Sequence, residues 1–138
     1  MQATALLNTP DPKVAILMCT YNGEKYLVEQ LESIAAQTHQ NWAVYVSDDG
    51  SSDSTNQILS KYQDKWGKCR LFIQRGPSKG FAANFLSLVT NSKIHADFYA
   101  YSDQDDIFET NKLERAIKSL KENSLQIPSL YCSRTILG

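Results

Sequence analysis

The run "KVAILMCTYNGEKYLVEQLESIAAQT", Lys13 to Thr38, changes its hydrophobic period half-way. Lys13 to Cys19 is a continuous apolar run of strand length, the pattern of a strand covered on both faces. From Gly23 onward, Leu27, Leu31, Ile34 and Ala35 recur at helical spacing. The same switch repeats down the chain. "WAVYVS" (Trp42 to Ser47) is rich in β-formers, and the segment after it places Ile58, Leu59 and Tyr62 on one helical face with Asp53 as a cap. "CRLFIQ" (Cys69 to Gln74) predicts a third strand, "GFAANFLSLVTN" a helix opening at Gly80, and "DFYAYS" (Asp97 to Ser102) a fourth strand. A helix capped by Thr110 buries Leu113, Ala116, Ile117 and Leu120, and "SLYCS" (Ser129 to Ser133) makes a short fifth strand.

Strand and helix in alternation imply right-handed crossovers. The expected fold class is α/β, a Rossmann-like, mainly parallel sheet with helices on both faces. Open sheets of this kind bind ligands outside the carboxyl ends of their strands. The residues that follow the strands are "TYNG" (Thr20 to Gly23), "DDGSSD" (Asp48 to Asp53), "RGPSKG" (Arg75 to Gly80) and "DQDD" (Asp103 to Asp106). All are polar, and the fold argument brings them to one rim.

The bulk properties narrow the class of ligand. At 138 residues the chain suits one domain with a core of its own. A net charge of −1 argues against a nucleic-acid binder, which needs a basic face, and against a polybasic membrane surface. No apolar run reaches the roughly twenty residues of a transmembrane helix, and the N-terminus lacks the pattern of a signal peptide. Cys19, Cys69 and Cys132 are too scattered for a zinc pattern or a disulfide framework and read as buried, reduced thiols. Cytoplasmic placement is expected, with the inner face of the membrane as a surface met only peripherally.

In "DQDD", Asp103, Asp105 and Asp106 crowd three carboxylates into four positions. Like charges so close cost free energy unless something neutralises them, and one helix cap would need only one. Mg²⁺ or Mn²⁺ prefers such oxygen ligands and keeps substrate phosphates as others. Asp49 can accept hydrogen bonds from the ring N–H of a nucleobase, or can be simply a turn residue. Tyr21 can stack on a base, and Asn22-Gly23 can equally be a plain turn. Lys79 beside Gly80 at a helix start is a reasonable anion contact. No P-loop and no Gly-x-Gly-x-x-Gly is present, and His39 and His95 stand alone. Acids and a lysine on one rim point to a nucleotide diphosphate bridged by a metal ion.

These residues resemble the N-terminal, nucleotide-sugar-binding half of family 2 glycosyltransferases, of the GT-A fold. "ILMCTYNGEKYLVEQLESIAAQT" is similar to that family's opening strand and helix, including a Ser-x-x-x-Gln-Thr ending at Ser33, Gln37 and Thr38. "VYVSDDGSSDST" resembles its Asp-Asp-Gly-Ser-x-Asp signature, "KGFAANF" its Gly-x-x-x-Asn segment, and "SDQDD" its Asp-x-Asp metal motif. The wording "SDQDDIF" is similar to bacterial rhamnosyltransferase-like members. The resemblance implies a donor site in which Cys19, Thr20 and Tyr21 line the base pocket and Asp49 reads the base. Asn22, Asp48, Lys79, Gly80, Asn84, Asp103 and Gln104 are implied beside them, with Asp103, Asp105 and Asp106 holding Mg²⁺ or Mn²⁺. It further implies an inverting, metal-dependent enzyme of bacterial surface polysaccharide synthesis. Such an enzyme moves a sugar, rhamnose among the candidates, from a dTDP- or UDP-sugar to a saccharide or lipid-linked saccharide acceptor.

The family places its catalytic base in an acceptor-binding half well beyond the Asp-x-Asp motif. The expected organisation is therefore an N-terminal extension over 1–12 and a donor domain over 13–138 that stops before the acceptor half. The chain alone is then expected to bind donor without transferring it, and a nucleotide-sugar-binding module without turnover is the alternative. A response-regulator receiver, which needs its acidic pair after the first strand, fits less well because that strand here ends in "CTYNG".

Overall fold

The computed structural model describes residues 11–102, 107–123 and 130–132. Five strands, β1 (Val14–Thr20), β2 (Trp42–Asp48), β3 (Leu71–Arg75), β4 (Phe98–Ser102) and β5 (Leu130–Cys132), form one sheet in the order β3-β2-β1-β4-β5. Every neighbouring pair is parallel. The continuous apolar run takes the centre of the sheet, and all seven residues of β1 are buried. A strand flanked by two others and covered on both faces has no side to present to water, which is why its sequence does not alternate.

Four helices connect the strands: α1 (Glu24–Ala35), α2 (Thr55–Trp66), α3 (Phe81–Val89) and α4 (Lys112–Asn123). On one face of the sheet, Ile16, Met18, Val44 and Val46 pack with Leu27, Leu31 and Ile34 of α1, Leu59 and Tyr62 of α2, and Leu113 and Ile117 of α4. On the other, Ala15, Leu17, Cys19 and Tyr101 meet Leu88 and Phe85 of α3. Successive residues of each strand thus feed opposite cores, the period-2 rule applied to a sheet with two buried faces.

Several ends differ from the sequence reading. β3 begins at Leu71, so Cys69 lies in the preceding turn and is exposed, while Cys19 is buried as expected. Arg70 keeps its backbone bond to the neighbouring strand, its carbonyl accepting from the Val44 amide at 2.8 Å. Its side chain stacks over the Trp42 ring, 3.7 Å from its centroid, and its Nε donates to the Trp42 carbonyl at 3.2 Å. α1 stops at Ala35, releasing Gln37 and Thr38 for contacts that a helix would not allow. In the first turn of α4, the Leu113 amide donates to Gln37 Oε1 at 3.0 Å, and Thr110 offers its carbonyl to the amide of Thr38 at 2.9 Å.

The register brings the strand ends to one level: Thr20 pairs with Asp48, Asp48 with Arg75, and Met18 with Ser102. The chain order reverses between β1 and β4, which is the switch point where doubly wound sheets open a crevice.

Candidate functional site

The loops after β1 and β2 are fastened to each other. The Asn22 amide donates to Ser51 Oγ at 2.8 Å, and Asn22 Oδ1 accepts from the Ser52 amide at 2.8 Å. Gly23 N donates to Thr55 Oγ1 at 2.9 Å. Asp53 accepts from the amides of Thr55 at 2.9 Å and Glu24 at 3.2 Å, so one carboxylate satisfies the starts of both α2 and α1. In return Glu24 Oε1 accepts from the Ser54 amide at 2.8 Å. Asn22 sits at φ 49°, a left-handed conformation that its short amide side chain tolerates. Tyr21 beside it is 56% exposed.

Asp48 and Asp49 are adjacent but serve different neighbours, because consecutive residues at a strand end point to opposite faces. Asp48 is buried and accepts from Thr20 Oγ1 at 2.7 Å, Ser51 Oγ at 2.6 Å, the Ser51 amide at 2.9 Å and Asn56 Nδ2 at 3.3 Å. Burial pushes its pKa up, but the hydrogen bonds from Ser51, Thr20 and Asn56 outweigh burial and leave it below the ordinary carboxylate value. A depressed folded pKa means that the stability Asp48 contributes is complete above the unfolded value, 3.8, and is lost as pH falls through the folded one. Melting curves should show a steep loss of Tm on acidification below about pH 4 that Asp48→Asn flattens. An unchanged acid limb in that variant would assign the loss to other carboxylates. A cleft of about 390 Å³ lies on this side, between the ends of β2 and β3 and the start of α2, with Asp48, Asn56 and Arg75 in its wall.

Asp49 faces the β3–α3 loop. Its Oδ1 accepts from the Ser78 amide at 2.5 Å and its Oδ2 from the Gly80 amide at 3.1 Å. Its own amide donates to the Thr20 carbonyl at 2.9 Å, and the Gly76 amide donates to the Asp48 carbonyl at 2.7 Å, extending the sheet's bonding past its formal end. Ser78 at φ 59° and Gly80 at φ 100° turn both amides toward the carboxylate. Gly76 leaves no room for a side chain: a Cβ there would lie 2.3 Å from Asn84 Oδ1 and 2.8 Å from Asp49 Oδ1. Asn84 is buried, with Nδ2 donating to the Ser47 carbonyl at 2.9 Å. Its Oδ1 and Asp49 Oδ1 both border the space that a side chain at position 76 would need. A carboxylate has about four acceptor positions, so two remain on Asp49 for a ligand donor.

The structure therefore brings together Cys19, Thr20, Tyr21, Asn22, Asp48, Asp49, Lys79, Gly80 and Asn84 at the carboxyl end of β1, β2 and β3. Cys19, Thr20, Asp48 and Asn84 are buried there, while Tyr21, Lys79 and Gly80 are exposed. Asp103, Gln104, Asp105 and Asp106 lie outside the described residues; they follow Ser102, which is buried at the same rim. Among the described residues no group of three His, Cys, Asp or Glu side chains forms a metal-binding cluster. Gly76 and Ser78 were not singled out from the sequence. The glycine in "RGPSKG" was a signal for a close approach, but a left-handed serine has none. Phe81 is a further unanticipated rim residue, 61% exposed, with its ring edge-on to Tyr101 at 6.1 Å.

Comparison with known proteins matches this arrangement to one family. The family model described as "Glycosyl transferase family 2" matches residues 15–132. An uncharacterized glycosyltransferase of Rickettsia typhi is 32% identical over 130 residues, covering 94% of this chain and 39% of that protein. The dTDP-rhamnosyl transferase RfbG of Shigella flexneri is 33% identical over 109 residues, covering 78% of this chain and 38% of the relative. Residues 1–349 of S. aureus TarS, solved in complex with UDP-GlcNAc, share the fold with a TM-score of 0.64 at 28% identity, over 85% of this chain and 37% of that one. The chain spans about two fifths of the length of several curated relatives it matches and less than a fifth of two others. The fold is that of GT-A glycosyltransferases. No helix among the described residues is long and apolar enough to cross a membrane. With the Asp-Asp-Gly turn seated between the loops of β1 and β3 and the matched region running from β1 to β5, the chain belongs to glycosyl transferase family 2.

Proposed function

We propose that residues 13–138 form the donor-binding domain of a glycosyltransferase that takes a sugar from a dTDP- or UDP-sugar and passes it to a saccharide or lipid-linked saccharide acceptor. The observation that carries this reading is Asp49. It is a carboxylate with spare acceptor capacity, only 9% exposed, fixed at the rim by the Ser78 and Gly80 amides. Uracil and thymine both carry an N–H donor at N3, which a carboxylate accepts and which cytosine lacks. Rhamnose as the sugar is favoured by the similarity to RfbG and by the wording "SDQDDIF".

The diphosphate end belongs to the acids after β4. That strand's described end, buried Ser102, lies opposite Met18, two residues before β1 ends. Oxygen-only donors suit Mg²⁺ or Mn²⁺, which would supply charge neutralisation of the diphosphate and of the leaving group. Calorimetry with UDP and dTDP is expected to show affinity that collapses to the level of the nucleoside when EDTA replaces Mn²⁺. Equal affinity with and without the ion would remove the metal role from Asp103, Asp105 and Asp106.

A second reading is a nucleotide-sugar-binding module without turnover. Transfer requires an acceptor hydroxyl to lose its proton to a base within hydrogen-bond reach as it displaces the nucleoside diphosphate. Assaying the 138 residues beside a form extended through the native gene, with dTDP-rhamnose and a rhamnose-ended acceptor, separates the two. Product from the extended form supports the enzyme, and binding without product by both supports the module.

A further inference from the structure

We infer that the outer face of α3 docks on an anionic lipid bilayer. The inference goes beyond the donor-site reading and does not rest on it. A surface helix ordinarily turns its apolar residues to the core and its polar ones to water. α3 departs from that rule on both sides. Its polar residues point inward: buried Asn84 donates to the Ser47 carbonyl at 2.9 Å, and Ser87 Oγ lies 3.1 Å from Gln74 Nε2 and 3.2 Å from Ser47 Oγ. Its apolar residues point outward. At 3.6 residues per turn, Phe81, Phe85, Val89, Ala82 and Leu86 follow one another round an unbroken arc of about 140°. Phe81 is 61% exposed, Leu86 55% and Val89 42%. Among the described residues α3 is the one helix packed on this face of the sheet, against three on the other. A contiguous apolar patch of this kind marks a contact surface, where scattered exposed residues would not.

Charge indicates the partner. From Lys65 to Ala96 the chain holds six cations, Lys65, Lys68, Arg70, Arg75, Lys79 and Lys93, and no Asp or Glu. The rest of the sequence has 15 acids against eight cations, so the net charge of −1 conceals a basic segment that contains α3. Lys65 and Arg70 are engaged, with Glu32 and the Trp42 ring. Arg75, Lys79 and Lys93 are exposed and make no ion pair among the described residues. Lys79 precedes α3 by two residues and Lys93 follows it by four, so a cation stands at each end of the apolar arc. Two copies paired through this face would bring those cations together, at a cost in free energy. An anionic headgroup layer neutralises them, while Phe81, Leu86 and Val89 enter the boundary between headgroups and acyl chains. The Gly80 amide that holds Asp49 opens the same helix, so docking sets the rim at the bilayer surface, where a lipid-linked saccharide presents its sugar.

The test is co-sedimentation of the chain with vesicles, phosphatidylcholine alone against phosphatidylcholine mixed with phosphatidylglycerol, at low and high salt. Binding to the mixed vesicles that weakens with salt, and is weaker still on the neutral ones, is expected. Val89→Glu and Leu86→Glu should each lower partitioning about tenfold, by removing apolar contact and adding a repelled charge. Lys93→Ala should lower it about fivefold, the effect of one cation near an anionic surface. Lys118→Ala, exposed on α4 at the opposite face of the sheet, should bind as wild type. Thermal melts establish that each variant is folded. Should the glutamate variants not fold, Lys93→Ala against Lys118→Ala decides alone. Absence of binding to the mixed vesicles, or equal losses in Lys93→Ala and Lys118→Ala, would overturn the inference. A lipid-free dimer that Val89→Glu dissolves, without vesicle binding, would overturn it in favour of a second copy. None of these readouts involves nucleotide, so such a failure would leave the donor reading standing.

Discussion

Asp49→Ala is expected to weaken uridine and thymidine binding about tenfold to a hundredfold, the range of a hydrogen bond to a charged group. The carboxylate is the acceptor proposed to read the N3–H of the base, and methyl cannot replace it. The same change leaves the amides of Ser78 and Gly80 without their acceptor, so the β3–α3 loop loosens and Tm falls. Pyrophosphate, which has no base, separates the two consequences. If Asp49 reads the base, pyrophosphate affinity changes far less than nucleoside affinity. If both weaken equally, Asp49 serves the loop alone. Asp49→Asn is the intermediate case. It keeps one acceptor for one loop amide but turns a donor toward the other, and it should lie between wild type and alanine in both readouts.

Gly76→Ala is expected to be nearly as damaging through sterics alone. The backbone at Gly76 does not need glycine for its φ; the space around it does. An added methyl would stand 2.3 Å from Asn84 Oδ1 and 2.8 Å from Asp49 Oδ1, well inside contact distance. Asn84 cannot swing away cheaply, being 2% exposed and bonded to the Ser47 carbonyl. Overpacking of this kind costs about 1–3 kcal/mol. Because the strain falls on Asp49, nucleoside affinity should drop by at least fivefold along with Tm. Adding Asn84→Ala removes the closer of the two clashes, and in that background Gly76→Ala should cost measurably less. Additive effects of the two changes would show that the methyl is accommodated elsewhere.

The alternation of strands and helices was legible because each element's burial is written in its own period. Val14 to Thr20 is apolar throughout since it is covered on both faces, and Leu27, Leu31 and Ile34 fall on one stripe since α1 is covered on one. Parallel order, and hence convergence of the loops after β1, β2 and β3 at one rim, follows from that alternation with few topological choices left. Asp49 and the acids after β4 could be named as candidates for the same reason. Local errors came where a tertiary contact outweighed local preference. Cys69 sat in an apolar run yet is exposed, because the chain turns after Gly67 and the strand starts only at Leu71.

What the sequence by itself determined is the fold class, the rim and the kinds of side chain that reach it. Only the tertiary structure decided who holds whom there. Asp48 and Asp49 are neighbours in sequence, but one is committed to Thr20, Ser51 and Asn56 and the other to amides 29 and 31 residues further on. Ser33 and Gln37 read as the polar end of a helix, while their partners lie more than 70 residues away, on the far side of the acid stretch. Periodicity is a property of neighbours along the chain, so it reports which face of an element is buried. A hydrogen bond across such distances is fixed by the register of the sheet and the packing of α1 and α4 on it, and no local pattern encodes it.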